Sequence, residues 1–111
     1  TPLYSSAASD VYKRQTINIL PEIVDKVGKL VEVHIDGGIR SGQDVVKAMC
    51  LGAKGTYIGR AFLYGLGALG KEGVTKALNI IKTETDMTMA LCGHKNLKEV
   101  DDSILKIESD F

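Results

Sequence analysis

The chain has 111 residues, room for one domain of modest size and not for two. Hydrophobic residues make up 44% and charged residues 25%, the balance of an ordinary globular protein, which argues against disorder by composition. Lys+Arg and Asp+Glu number 14 each, so the chain lacks the basic excess by which proteins usually hold nucleic acid through its backbone.

No run of 18 apolar residues is present to span a membrane. The opening Thr1-Pro2-Leu3-Tyr4-Ser5-Ser6 has neither the basic flank nor the apolar stretch of a signal peptide. Residues 1–15 show no helical or strand period, and they are expected to lie outside the fold as a non-native or disordered leader. Cys50 and Cys92 have no Cys-x-x-Cys spacing, so they form neither a disulfide framework nor a metal site, and a reducing, cytoplasmic setting is the expectation.

From Thr16 the pattern sharpens. Pro21 suits the first turn of a helix, where its missing N–H is not needed, and Glu22 suits the positive end of the helix dipole. Leu20, Ile23, Val24 and Val27 then fall on one face of a helix of about eight residues, which Gly28 stops. Leu30 to Ile35 is rich in β-branched residues and reads as a strand, with Val31, Val33 and Ile35 on one face and Glu32, His34 and Asp36 on the other. After Asp36-Gly37-Gly38, Ser41 with Asp44 three residues on makes a capping box, and Val45, Val46, Met49 and Cys50 give the helix it opens an apolar face. Lys54 to Ile58 is a second short strand, ending at Gly59-Arg60. Ala61 to Gly70 reads as one short helix. Val74, Ala77, Leu78, Ile81, Thr85, Thr88 and Leu91 mark a long amphipathic helix stopped by Gly93. Asn96 and Glu99 box a last short helix, and Ile104, Leu105 and Ile107 continue toward the end.

Each strand is followed by a helix after a short Gly-bearing loop, the repeating unit of a parallel α/β protein. Two strands alone leave edges unpaired, and a complete (β/α)8 barrel needs about 250 residues, so the pattern is that of a slice.

Chemistry concentrates where the two strands end. Asp36, Gly37, Gly38, Ile39 and Arg40 lead into a helix, a place where glycines let the backbone approach a ligand, N–H groups attract an anion and a guanidinium clamps a phosphate. Gly59 and Arg60 repeat the logic after the second strand. Asp-Gly-Gly alone is a common tight turn and Gly-Arg alone says little. Both together, on consecutive strand ends, point to a phosphate site, because the loops after the last two barrel strands recurrently bind one. Asp36 is odd there by charge; it would orient a hydroxyl or hold Arg40.

The stretch Val-His-Ile-Asp-Gly-Gly-Ile-Arg-Ser-Gly-Gln-Asp-Val-Val-Lys-Ala, then Leu-Gly-Ala-Lys-Gly-Thr-Tyr-Ile-Gly-Arg-Ala, resembles the C-terminal part of the FMN-dependent α-hydroxy acid dehydrogenases and oxidases. This group includes L-lactate dehydrogenase of the cytochrome type and glycolate oxidase. The resemblance runs from about Thr16 to Leu105 and includes Met87-Thr88-Met89-Ala90-Leu91-Cys92-Gly93. It implies the C-terminal portion of a (β/α)8 TIM barrel: the last two βα units plus C-terminal helices, as a partial domain over residues 16–111. It also implies that Asp36–Arg40 and Gly59-Arg60 hold the FMN phosphate, and that the parent oxidises a small L-2-hydroxy acid to the 2-oxo acid. The electron acceptor, oxygen, quinone or cytochrome, stays open, and so does association with a membrane through it. A homo-oligomer is usual in the group.

The resemblance also marks absences. The group's proton-abstracting His and carboxylate-binding Arg belong to a His-Gly-x-Arg-Gln-Leu-Asp-like stretch before the helix at Pro21, and no His precedes Arg14-Gln15 here. No catalytic residue is assigned in this chain, and the 111 residues alone are expected to be inactive. Tyr12-Lys13-Arg14-Gln15 resembles the adapter-derived ends of assembled environmental reading frames, which fits a truncated piece. Another FMN or nucleotide-phosphate barrel, dihydroorotate dehydrogenase-like or inosine monophosphate dehydrogenase-like, and a non-catalytic fragment are the alternatives. His34 is read as a polar group beneath the flavin or as a barrel-interior residue, and His94 as a solvated helix cap. Cys50 and Cys92 are read as inert core thiols, Tyr57 as a packed strand residue and Asp101-Asp102 as a solvated pair.

Overall fold

The computed structural model describes residues 16–105; the expected leader over 1–15 and Ile107 lie outside the described residues. Helix α1 spans Thr16–Val27, strand β1 His34–Asp36, helix α2 Gly42–Cys50, strand β2 Gly55–Tyr57 and helix α3 Arg60–Leu91, followed by two 3₁₀ turns at Leu97–Glu99 and Asp102–Ile104. The strands pair in parallel, His34 opposite Gly55 and Asp36 opposite Tyr57, with α2 as the crossover. The expected βαβα order is therefore present.

Helix α1 begins earlier than the sequence suggests and carries Pro21 in its interior. Pro21 has no N–H to donate to Ile17, but apolar burial over a longer face outweighs that one bond. Leu20 is buried, with Ile17 and Val24 packed beside it, while Ile23, expected on the inner face, is largely exposed. Strand β1 is correspondingly shorter than expected. The N–H groups of Leu30 and Val31 turn back to the Val27 carbonyl, closing α1, and both side chains are exposed, at 82% and 58%. From Val33 on, the expected alternation holds: Ile35 is 2% exposed and joins the core with Val33, while Glu32, His34 and Asp36 lie on the open face.

Helix α2 sits at the centre. Ser41 caps it, its Oγ accepting from the Asp44 N–H at 3.2 Å. One side meets Leu20, Ile35, Ile39 and Ala53 through Ala48, with Val45 half-buried there; the other meets Met89 and Val100 through Val46 and Cys50. Fully burying one such aliphatic side chain contributes about 1.5–3 kcal/mol, so these two clusters supply most of what holds the elements together. The approach of α2 to α3 depends on a hydrogen-only side chain: a Cβ on Gly42 would overlap main-chain atoms of Glu84 and Thr85.

Helix α3 is two helical segments joined at Gly70, whose φ of 61° is a left-handed conformation that glycine adopts freely. This is the break the sequence places between a short and a long helix. Across it, Gly65 and Gly73 face one another so closely that a Cβ on either would strike the other's main chain. In the long segment Thr85 and Met89 are buried, whereas Leu78 and Leu91 are exposed. Thr85 and Thr88 satisfy their hydroxyls on the Ile81 and Glu84 carbonyls, each at 2.7 Å. No helix among the described residues is long and apolar enough to cross a membrane.

Candidate functional site

The parallel register puts Asp36 beside Tyr57, so Gly37-Gly38 and Ile58-Gly59 leave the same end of the sheet. Gly37 and Gly38 both have positive φ, 101° and 80°, and a Cβ at either would meet nothing within 4 Å. Glycine is required there for conformation, and the space beside it is open. Gly59 differs: its φ of −121° lies outside the left-handed region, and a Cβ there would likewise meet open space.

The two helix starts are unlike. At α2, the Gly42 N–H points to Glu84 Oε1 at 3.4 Å, the Asp44 N–H is held by Ser41, and Asp44 Oδ2 accepts from the Arg40 N–H at 3.0 Å. The sequence predicts free N–H groups here; most are engaged, and the Ser41/Asp44 box was itself the signal. The Asp44 carboxylate reaches one residue further back than an ordinary capping box, and so pins the Arg40 backbone. At α3, Gly59 offers no side-chain cap, so the first-turn N–H groups of Arg60 and its neighbours face outward unclaimed by a side chain.

Both arginines are exposed, and neither guanidinium has an ion-pair partner among the described residues. The reading in which Asp36 holds Arg40 is not what the structure shows: Asp36 is exposed at the end of β1, and the carboxylate touching Arg40 is that of Asp44, through the backbone. Ile39 is buried in the core, so its side chain anchors the loop from below and only its main chain faces outward.

Beneath the loops, on the same open face, lies a small polar cluster. His34 Nδ1 is 3.4 Å from Tyr57 Oη, and His34 Nε2 is 3.3 Å from Glu32 Oε2. The imidazole lies over Gly55, where a Cβ would come within 3.1 Å of the ring. Tyr57, expected to pack, is 56% exposed, because its ring projects from this open face toward His34.

The remaining candidates fall away from the site. The His94 N–H bonds the Met89 carbonyl at 2.9 Å and closes α3 through the backbone. Cys50 is buried as expected, and burial, with Cys92, Asp101 and Asp102 adding repulsion, pushes its thiol up, away from the reactive thiolate. Cys92 is exposed rather than in the core, because it caps α3 at the surface. Asp101 is not merely solvated: the Ser103 hydroxyl and N–H hold its carboxyl below the usual range. A groove of about 700 Å³ runs along α3 between Lys71 and Glu84 and contains none of the predicted site residues. No group of three or more His, Cys, Asp or Glu able to hold a metal ion occurs among the described residues.

The profile of the FMN-dependent dehydrogenase family matches residues 12–107. The chain belongs to that family. It is similar to 2-hydroxyacid oxidase 1 of Mus musculus, 46% identical over 91 residues, covering 82% of this chain and 25% of the relative. It is similar to L-lactate dehydrogenase (cytochrome) of Wickerhamomyces anomalus, 38% identical, covering 88% of this chain and 18% of the relative. Among solved structures, an arginine-to-lysine variant of flavocytochrome b2 matches with a TM-score of 0.82 at 39% identity, over 88% of this chain and 27% of that one. A soluble variant of the membrane-associated (S)-mandelate dehydrogenase of Pseudomonas putida gives 0.79 at 39%, over 83% and 26%. The chain thus spans about a quarter of the length of the relatives it matches. As a member of an FMN-dependent enzyme family with a parallel βα arrangement, it is part of a barrel-type flavoprotein fold. The dihydroorotate dehydrogenase-like and inosine monophosphate dehydrogenase-like alternatives are set aside.

Proposed function

We propose that this chain provides the FMN-phosphate grip of an enzyme that oxidises a small L-2-hydroxy acid to the 2-oxo acid, and that it forms the last two βα units and C-terminal helices of a (β/α)8 barrel. The observation that carries the reading is the pairing of two glycine-bearing loops, each with an arginine free of ion pairs among the described residues, at one end of a parallel strand pair. The residues suit the cofactor. Open space beside Gly37, Gly38 and Gly59 admits a phosphate against the backbone, and the uncapped start of α3 offers N–H donors. Arg40 and Arg60 add charge-assisted hydrogen bonds, Ile39 contributes its main chain, and Asp36 orients a cofactor hydroxyl. When bound, FMN supplies the two-electron acceptor; the protein supplies position and charge.

The matched proteins carry the names 2-hydroxyacid oxidase, L-lactate dehydrogenase and mandelate dehydrogenase, and this supports a small 2-hydroxy acid as the substrate class. Oxygen or a cytochrome as electron acceptor is in keeping with relatives named an oxidase and L-lactate dehydrogenase (cytochrome); a quinone acceptor and a homo-oligomeric parent belong to the same proposal. Relatives include peroxisomal oxidases and a membrane-associated dehydrogenase, so the cytoplasmic expectation stands beside these two settings.

Purified full-length protein is expected to show flavin absorption, bleached anaerobically by L-lactate or glycolate. Protein that neither carries nor takes up FMN would refute the reading. Gly59→Ala is expected to weaken FMN binding about tenfold, as a methyl group intruding on a tightly packed contact does, with the thermal midpoint unchanged. Equal FMN affinity in this variant would remove Gly59 from the site.

A further inference from the structure

Asp36-Gly37 is the one place in the chain where an aspartate or asparagine precedes a glycine. Only the bonds Cγ–Cβ–Cα–C–N separate the Asp36 carboxyl carbon from the Gly37 nitrogen, so a bond between the two closes a five-membered ring. A side chain at position 37 would crowd that nitrogen, and glycine has none. The fold leaves the pair uncovered. Asp36 is the last residue of β1, and Asp36, Gly37 and Gly38 are all exposed. Among the described residues no hydrogen bond or ion pair engages the Asp36 carboxylate, and no turn or loop bond takes up the Gly37 N–H. The other described aspartates are placed differently. Asp25, Asp44 and Asp86 lie inside helices, where repeating bonds fix the backbone. The Asp101 carboxylate is held by Ser103, and Asp102 opens a 3₁₀ turn.

We propose that Asp36 is a site of spontaneous isomerisation: its side chain closes on the Gly37 nitrogen to give a succinimide, which reopens to leave Asp36 joined to Gly37 through its side-chain carboxyl. In the closing step the Gly37 nitrogen loses its proton and bonds to Cγ, a C–O bond of the carboxylic acid breaks, and one water leaves. In the opening step one water returns. Addition at Cγ restores the original chain. Addition at the main-chain carbonyl breaks the old peptide C–N bond and leaves a β-linked residue with a free α-carboxylate. Nothing is oxidised or reduced, and no co-reactant is needed. Closure requires rotation about the Asp36 Cα–C bond. Two glycines, at φ 101° and 80° with open space beside them, stand between that bond and the Ile39 anchor in the core, so the rotation is absorbed before it reaches packed side chains. The product has one more main-chain atom ahead of Gly37, and the loop that carries Arg40 then starts further from the strand end. No ligand takes part, so the proposal is independent of the FMN reading.

The test keeps flavin-free, full-length protein in oxygen-18 water at near-neutral pH and physiological temperature for weeks, with circular dichroism recording that it stays folded. After return to ordinary water it is digested with trypsin. Cleavage after Lys29 and Arg40 puts Asp36 alone on the peptide of residues 30–40, and the other described aspartates fall on other peptides. Every molecule that has passed through the ring carries one heavy oxygen at position 36. The quantity read is the loss of the unlabelled, α-linked peptide, which should be first order in time. In its place should come two labelled species of equal mass, one of them β-linked by fragmentation at the Cα–Cβ bond. The peptides bearing Asp25, Asp44 and Asp86 should stay unlabelled. Asp36→Glu, whose closure needs a larger ring, should lose the label at position 36; an undiminished label there would mean direct oxygen exchange and overturn the ring. An unlabelled Asp36 in the folded protein, while a synthetic peptide of residues 30–40 isomerises alongside, overturns the proposal, because the fold would then protect the bond. Isomerisation that appears only in step with loss of helical circular dichroism overturns it as well, because the unfolded chain and not the exposed strand end would be the reactive form.

Discussion

Replacing Arg40 and Arg60 together with Ala in the full-length protein should strip it of FMN. On the proposed reading the two guanidinium groups act on one phosphate from separate loops, and loss of each removes a charge-assisted contact of about 1.5–3 kcal/mol. If the losses add, affinity falls by a factor between about 10² and about 10⁴, enough to leave the purified protein colourless. Equilibrium titration with FMN reads this directly. The fold should survive, because both side chains are exposed and neither is in an ion pair among the described residues. Each Arg→Lys variant should retain part of the affinity, since an ammonium keeps the charge and loses the planar fork. Unchanged flavin content in the double Ala variant would dismiss both arginines from the site.

Gly42→Ala should destabilise the protein by about 3 kcal/mol, seen as a lower midpoint in chemical denaturation. Intrinsic propensity argues the other way: Ala is better than Gly inside a helix by up to about 1 kcal/mol. The sign of the measured change therefore decides between local preference and packing. The structure favours packing, because the added methyl group would overlap the Glu84–Thr85 backbone and α2 would have to move off α3. A stabilised variant would mean that the α2–α3 approach is looser than described. Gly67→Ala is the control: it lies within α3, where a Cβ would meet nothing within 4 Å, and it should be neutral or mildly stabilising.

Much of the fold was legible because its signals are local. The Ser41/Asp44 box, the alternation from Glu32 to Asp36 and the glycine between two helical periods each fix one element with few residues, and each is found. The start of α1 was obscured because Pro21 mimics a first-turn residue. Only tertiary burial of Ile17 and Leu20 shows that the helix passes through it. Leu30 and Val31 have strand chemistry, but their N–H groups serve the turn after α1, a use that composition does not reveal. At the site, the residue types and their delivery to one sheet end could be read from spacing. Which helix start keeps its N–H groups open could not be settled by the glycines alone, since it depends on Glu84, 42 residues from Gly42 in the chain. The seating of His34 over Gly55 needed the strand register.

The crossing of Gly65 and Gly73 has a mechanical consequence. The first segment of α3 carries Arg60 at its free end and is braced only a few residues along, where two backbones touch without side chains between them. That contact works as a fulcrum. A methyl group inserted there would force the two segments apart and move the arm bearing Arg60, so the position of that cationic side chain is calibrated by a pair of hydrogen atoms remote from it.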